Sequence, residues 1–262
     1  MLKPALQRLA GLAGYEIFRK RSTVPVSQRA GTVAELEALY RRFVFPDLPA
    51  RPGRDDLIAR LEGTSAGEAI HIVEYLHRSL GVAGDVCEFG VAQGATSALL
   101  ATEIADGGKQ LWLFDSFEGL PRPTEKDVLL DDIFNLGSME RYEGQMAVAQ
   151  AEVVGRLRAV AFPDARVNIV PGFIEKTILS PRLPDQVCFA YVDFDLYEPI
   201  RVALGFLDRV VPPGGHVLVD DYGWFSAGAK TAVDEFVAVA GARWRTIPAA
   251  PDSGHFAILA RT

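Results

Sequence analysis

Four aspartates in two short segments carry the pattern richest in chemistry: Asp193 and Asp195 in YVDFDLYEP, and Asp220 and Asp221 in GHVLVDDYG. Each pair follows an apolar, strand-like run, which puts the acids at the carboxyl ends of two neighbouring strands, where ligands bind in open α/β sheets. Carboxylates converging there with no basic residue nearby repel one another, and their pKa values rise unless a cation neutralises them. Oxygen donors of this kind suit magnesium, which keeps several waters, or manganese. Asp193 and Asp195 share one strand face, whereas adjacent Asp220 and Asp221 both reach one ion only where the strand is ending and its pleat breaks. The reading taken is Asp193, Asp220 and Asp221 as ligands with Asp195 in reserve, and Asp193 also as the base for an acceptor hydroxyl. The alternative is that these acids form turns and caps, with Asp195 to Glu198 opening the next helix.

A second constellation is EFGVAQGATS, where strand passes to helix through Gly90 and Gly94, with Glu88 two positions earlier and Thr96 and Ser97 in the first helical turn. Two glycines permit a tight turn and close approach of a ligand, and the helix start offers free N–H groups. The dinucleotide pattern Gly-x-Gly-x-x-Gly is not met, since neither position 92 nor position 97 is glycine, which favours a ligand without a pyrophosphate. Asp115, followed by Ser116, ends the next strand, where a carboxylate accepts hydrogen bonds from both hydroxyls of a ribose. NAD and S-adenosylmethionine share that ribose. In RVNIVPGFIEKT, Gly172 and Phe173 form a turn where a nucleoside base can lie on apolar surface. The bland alternative is an ordinary strand-to-helix turn with a capping acid.

These residues need a scaffold, and the alternation of elements supplies one. From Asp85 onward, DVCEFG, QLWLFD, VNIVP, VCFAYVDF, GHVLVDD, WRTIP and HFAILA read as seven strands separated by helical stretches, which predicts a doubly wound, mostly parallel α/β sheet. VCFAYV and HVLV lack polar alternation and read as central strands covered on both faces. The connection between WRTIP and HFAILA is too short for a crossover helix, so these two form an antiparallel hairpin. Val33 to Phe43, and Ala69 to Leu80 after a Ser65 start, are helical, as is a stretch near Met146 to Val160 inside the insertion that follows Phe117.

The 262 residues, 49% hydrophobic, suffice for one elaborated domain, and the net charge of −7 argues against a nucleic-acid coat. Cys87 and Cys188 lie in apolar runs and read as reduced core thiols. With no ~20-residue apolar span and no secretory signal core, the cytoplasm is the default expectation. Met1 to Ser22 reads as a basic amphipathic helix for the protein body, a partner subunit or an acidic membrane surface. His216 and His255 read as structural, and His71 and His77 as surface helix positions.

Taken together, VCEFGVAQGATS, LWLFDSFEGLP, GFIEKT, YVDFDLYEP and PGGHVLVDDYG resemble the macrocin O-methyltransferase (TylF/MycF) family of bacterial sugar methyltransferases, over roughly residues 84–225. The resemblance implies a class I methyltransferase (Rossmann-like) fold at 81–262 with an N-terminal helical extension or lid at 1–80. It also implies S-adenosylmethionine as donor and magnesium-dependent transfer to a hydroxyl of a sugar or glycosylated natural product. By the same resemblance Glu88, Asp115 and the Asp193, Asp220 and Asp221 cluster take the roles above. The aspartate placement is also similar to catechol-type O-methyltransferases, but Leu196 stands where those carry a lysine. A nicotinamide-dependent oxidoreductase and a non-catalytic scaffold are the competing readings, and self-association is left open.

Overall fold

The computed structural model describes residues 25–262. Seven strands form one sheet in the order β3-β2-β1-β4-β5-β7-β6: β1 (Asp85–Phe89), β2 (Leu111–Asp115), β3 (Val167–Pro171), β4 (Val187–Val192), β5 (His216–Val219), β6 (Trp244–Ile247) and β7 (Ala257–Arg261). The first five run parallel; β7 lies antiparallel between β5 and β6. All residues of β4 and β5 are buried, which is why their sequences are unbroken apolar runs.

Helices α1 (Val26–Phe43), α2 (Arg54–Ile58), α3 (Ala66–Ser79) and α4 (Ala95–Glu103) are followed by α5 (Gln150–Ala159), α6 (Ile174–Thr177), α7 (Tyr197–Val210) and α8 (Ala227–Ala240). One apolar core runs from Ala30 in α1 through α3 to Ile258 in β7, and a second lies between the other sheet face and α7 and α8. The expected boundary at residue 80 therefore cuts through a shared core. The first helix read from the sequence, Met1 to Ser22, lies outside the described residues.

Helix α3 is buried on nearly every side, and this corrects the surface reading of His71. Its ring is buried, bonded to the Gly67 carbonyl at 2.8 Å and taking the Ala250 amide at 3.2 Å. Burial pushes its pKa down. His77 is only partly exposed and holds Glu103 at 2.7 Å. Glu103 and Glu37 in turn enclose Arg54, whose guanidinium also donates to the Pro49 carbonyl, so α1, α2 and α4 share one buried ionic knot. Cys87 and Cys188 are buried free thiols, and His216 takes up Ser79 at 2.9 Å.

The insertion after β2 is largely irregular but has its own small core of Leu120, Met139 and Tyr142 against Leu196 and Phe225. Asp127 fastens it: its buried carboxylate accepts from the Thr124 amide and hydroxyl, from the Tyr197 amide at the start of α7, and from the Ser226 hydroxyl that caps α8. Gly228 must be glycine here, because a Cβ would sit 1.9 Å from the Asp127 carboxylate.

Candidate active site

Four backbone bonds lock the carboxyl rim of the sheet: Gly90 N–H to Phe114, Asp193 N–H to Phe89, Asp220 N–H to Val192 and Gly172 N–H to Asp115. They place the glycine turn, both acidic segments and the turn after β3 on one edge. Gly90 has φ +85°, and a Cβ there would lie 1.8 Å from the Asp193 carbonyl oxygen, so the end of β4 itself demands glycine. Gly94, at φ +77°, packs on Val153 of α5.

The Asp115 carboxylate accepts from the amides of Val91 at 2.7 Å, Ala92 at 3.1 Å and Phe117 at 2.7 Å, tying the tip of β2 to the glycine turn. It remains partly exposed, with capacity for one more donor. Ser116 closes its own turn, donating to the Gly119 carbonyl and accepting from the Glu118 amide. Half-buried Phe173 precedes α6, next to Gly172 at φ +121°. Glu88, Thr96 and Ser97 lie below this surface: Glu88 is 1% exposed and takes the Ser97 hydroxyl across from α4. Burial pushes the Glu88 carboxyl up to about 8, against the lowering effect of Ser97.

Among the described residues, Asp193, Asp195 and Asp221 each offer a carboxylate oxygen within 4.8 Å of the others. Burial raises all three: Asp193 well above the carboxylate range, with the charges of Asp220, Asp195 and Asp221 adding to it; Asp195 to about 6, against a lowering hydrogen bond with Asp221; and Asp221 to about 10, with the charges of Asp195 and Asp220 adding to it. Asp195 at φ +61° and Asp221 at φ +55° occupy the left-handed region, as do Ala92 and Phe117 on the same rim. Such backbone strain collects at functional sites, and aspartate tolerates it better than most residues. Asp220, read from the sequence as a ligand, is not one of this trio, but its charge acts on all three. Its carboxylate accepts from the Tyr191 hydroxyl at 2.6 Å and the Asp221 amide at 2.7 Å, and it shares a hydrogen bond with Glu68. The backbone turns left-handed at Asp221, where the sequence reading needed the pleat to break, and Asp195, the reserve, is the third member of the group.

Sequence reasoning missed Glu68, Tyr191, Trp224 and His255. Glu68 stands three residues after the Ser65 cap and looks like an ordinary capping glutamate, yet it is buried with its pKa raised well above normal by burial and by Asp220. Tyr191 was detectable, since it shares strand parity with Asp193. Trp224 stacks on His255, and burial raises the Asp220 pKa against the lowering hydrogen bonds of Tyr191 and Glu68.

The chain is 31% identical over 146 residues to an 8-demethyl-8-(2,3-dimethoxy-alpha-L-rhamnosyl)-tetracenomycin-C 4'-O-methyltransferase of Streptomyces olivaceus, the match covering 54% of each chain. It is 32% identical over 161 residues to the demethyldecarbamoylnovobiocin O-methyltransferase of Streptomyces niveus, covering 59% of this chain and 58% of that one. The chain thus matches little more than half the length of these curated relatives. In fold it is similar to the O-methyltransferase NovP, with a TM-score of 0.64 at 23% identity over 89% of this chain and 99% of that chain. It is likewise similar to the calicheamicin methyltransferase CalS11, with a TM-score of 0.58 at 20% identity over 93% and 95%. The family model described as Macrocin-O-methyltransferase (TylF) matches residues 70–244, well over half of the chain and every element that builds the rim from β1 to α8. The chain belongs to the macrocin O-methyltransferase (TylF) family.

Proposed function

We propose that this chain transfers a methyl group from S-adenosylmethionine to a hydroxyl of a sugar or glycosylated natural product, with a divalent metal ion in the acidic crevice. The observation that carries the reading is the contact between Gly90 and Asp193: the turn suited to the donor touches the strand end that bears the first acid. Two half-sites that close share one reaction volume, which is what bringing a methyl group and a hydroxyl together requires.

On the donor side, Asp115 receives one ribose hydroxyl with its remaining acceptor capacity, and Gly172 and Phe173 border the base. Glu88 and Ser97 support the turn from beneath, and Thr96 and Ser116 shape its two flanks. The oxygen-only donor set, the spacing and the raised pKa values of Asp193, Asp195 and Asp221 fit magnesium or manganese. Bound there, such an ion would lower the pKa of an acceptor hydroxyl. Asp193, beside the glycine turn, is the acid that takes the hydroxyl proton as the oxygen meets the methyl carbon. Asp220, held by Tyr191, fixes the strand end from which Asp221 projects.

Calorimetry with S-adenosylhomocysteine, and transfer of labelled methyl to p-nitrophenyl α-L-rhamnopyranoside with magnesium and then with chelator, test this reading. Micromolar binding and chelator-sensitive transfer are the expected results. Absence of nucleoside binding in both conditions would overturn the donor assignment; transfer indifferent to chelator would overturn the metal.

A further inference from the structure

The site carries an aromatic pair that the transfer chemistry does not use. Trp224 follows the second acidic segment through a turn in which its amide donates to the Asp221 carbonyl at 3.1 Å. Its indole lies nearly flat on the His255 imidazole, with centroids 4.6 Å apart and planes at 16°. Trp224 keeps 39% of its surface exposed, whereas Trp244 is 4% exposed and the next residue, Phe225, is fully buried. Core packing therefore accounts for Phe225 and leaves Trp224 facing solvent.

The pair is also held rigidly. The Tyr222 amide donates to the His255 carbonyl at 2.7 Å. The chain leading to His255 is clamped by the N-terminal helices: the Ser65 hydroxyl donates to the Ser253 carbonyl, Tyr40 bonds the Ser253 hydroxyl at 2.8 Å, and His71 takes the Ala250 amide. The residue after the indole, Phe225, and Ala227 are laced by backbone bonds of 2.9 Å to an insertion segment that carries the exposed Val128 and Leu130. Preorganised aromatic surface of this kind is what a ligand ring needs, because little entropy is lost on binding.

We propose that the Trp224–His255 stack is the platform for the sugar ring of a glycosidic acceptor, its apolar C–H face on the indole and its hydroxyl edge toward Asp193, Asp195 and Asp221. This rests on the methyltransferase reading and adds to it the residues that hold the acceptor's sugar ring. A pyranose ring presents C–H hydrogens, slightly positive, to the negative face of an indole, while the imidazole edge serves hydroxyls as donor or acceptor. A phenol also stacks on an indole but brings a single hydroxyl, whereas a pyranose offers several to the imidazole and the acids at once.

The test is calorimetric binding of p-nitrophenyl α-L-rhamnopyranoside, with p-nitrophenol as control, to the full chain and to Trp224→Ala, Trp224→Phe and His255→Ala, with S-adenosylhomocysteine titrated into each. Trp224→Ala should weaken glycoside binding about tenfold, Trp224→Phe should stay within about threefold, and His255→Ala should fall between, as loss of one aromatic contact implies. Unchanged nucleoside affinity in the variants shows that the rim is intact. No glycoside binding by the parent, equal binding by p-nitrophenol, or equal affinity in Trp224→Ala would overturn the platform. Loss of nucleoside binding by the parent itself would instead overturn the donor reading, and the glycoside titrations would still decide the platform.

Discussion

Replacing Glu88 with glutamine separates two roles that the sequence merges in one residue, an anion for the donor and a neutral support for the turn. Glu88 is buried on β1 and accepts from Ser97, and its carboxyl is pushed up from 4.5 to about 8. A carboxyl raised in the folded state favours folding fully below its unfolded pKa, and that stability is lost as pH rises toward the folded value. At pH 7 the unfolded chain has released the proton and the folded chain holds it, over about 2.5 pH units, a cost of roughly 3 kcal/mol. Glutamine keeps the hydrogen bond and has no proton to retain. The variant should match the parent near pH 4, exceed it by about 3 kcal/mol at pH 7, and gain little beyond pH 8. Urea unfolding at pH 4, 5, 6, 7 and 8 measures the difference. A difference that stays flat across this range would mean that Glu88 is ionised in the fold, refuting the neutral support. Nucleoside affinity in the variant should stay within about threefold of the parent, since an uncharged support contributes no ionic contact.

Three further outcomes follow from particular contacts. Asp193→Asn should lower kcat at least about hundredfold, the usual contribution of a general base, with S-adenosylhomocysteine affinity unchanged; retained turnover would move the base elsewhere. Asp127→Ala removes the acceptor for Thr124, Tyr197 and Ser226 and should cost about 1–2 kcal/mol, with protease cleavage within residues 121–148 accelerating before the sheet opens. Unchanged cleavage would show that the Tyr142 and Phe225 core alone holds the insertion. Arg54→Met leaves Glu37 and Glu103 buried without their cation and should destabilise by about 3–5 kcal/mol in denaturant titration; adding Glu103→Leu should recover part of that.

The sheet was legible because its strands are short apolar runs bounded by turns, and the antiparallel return of β7 followed from a connection too short for a helix. Helix α3 was legible as an element, but His71 on it was misread as a surface position. Periodicity assigns a helix one buried face, but α3 lies between the sheet and α1, so His71, Glu68 and Glu74 are buried too. Five-residue α2 carries too few positions for a period, and nothing local marks Arg54 as the centre of the ionic knot. Asp127 is one acid among several in a polar insertion, and only the fold brings the starts of α7 and α8 to it.

The acidic segments mark where local rules stop. Strand parity correctly put Asp193 and Asp195 together and required a break of the pleat for any sharing between Asp220 and Asp221. It could not say which neighbour would face the crevice. That choice is made by Tyr191 and Glu68, which lie 29 residues before and far upstream of Asp220 and supply the buried partners its carboxylate needs. A buried carboxyl with two such partners stays with them, and the αL turn at Asp221 then swings the next side chain out to meet Asp195, itself αL. The helical layer before β1 therefore reaches the site twice, through Glu68 behind the acids and through the clamp on the chain before His255. Tyr191→Phe, which deletes one hydroxyl, should loosen this choice: Asp221 loses a fixed neighbour, and metal affinity measured by manganese titration should fall, while Tyr40→Phe, acting on the other route through Ser253, should leave it unchanged. Equal affinities in the parent and Tyr191→Phe would show that the backbone turn at Asp221 sets the geometry unaided.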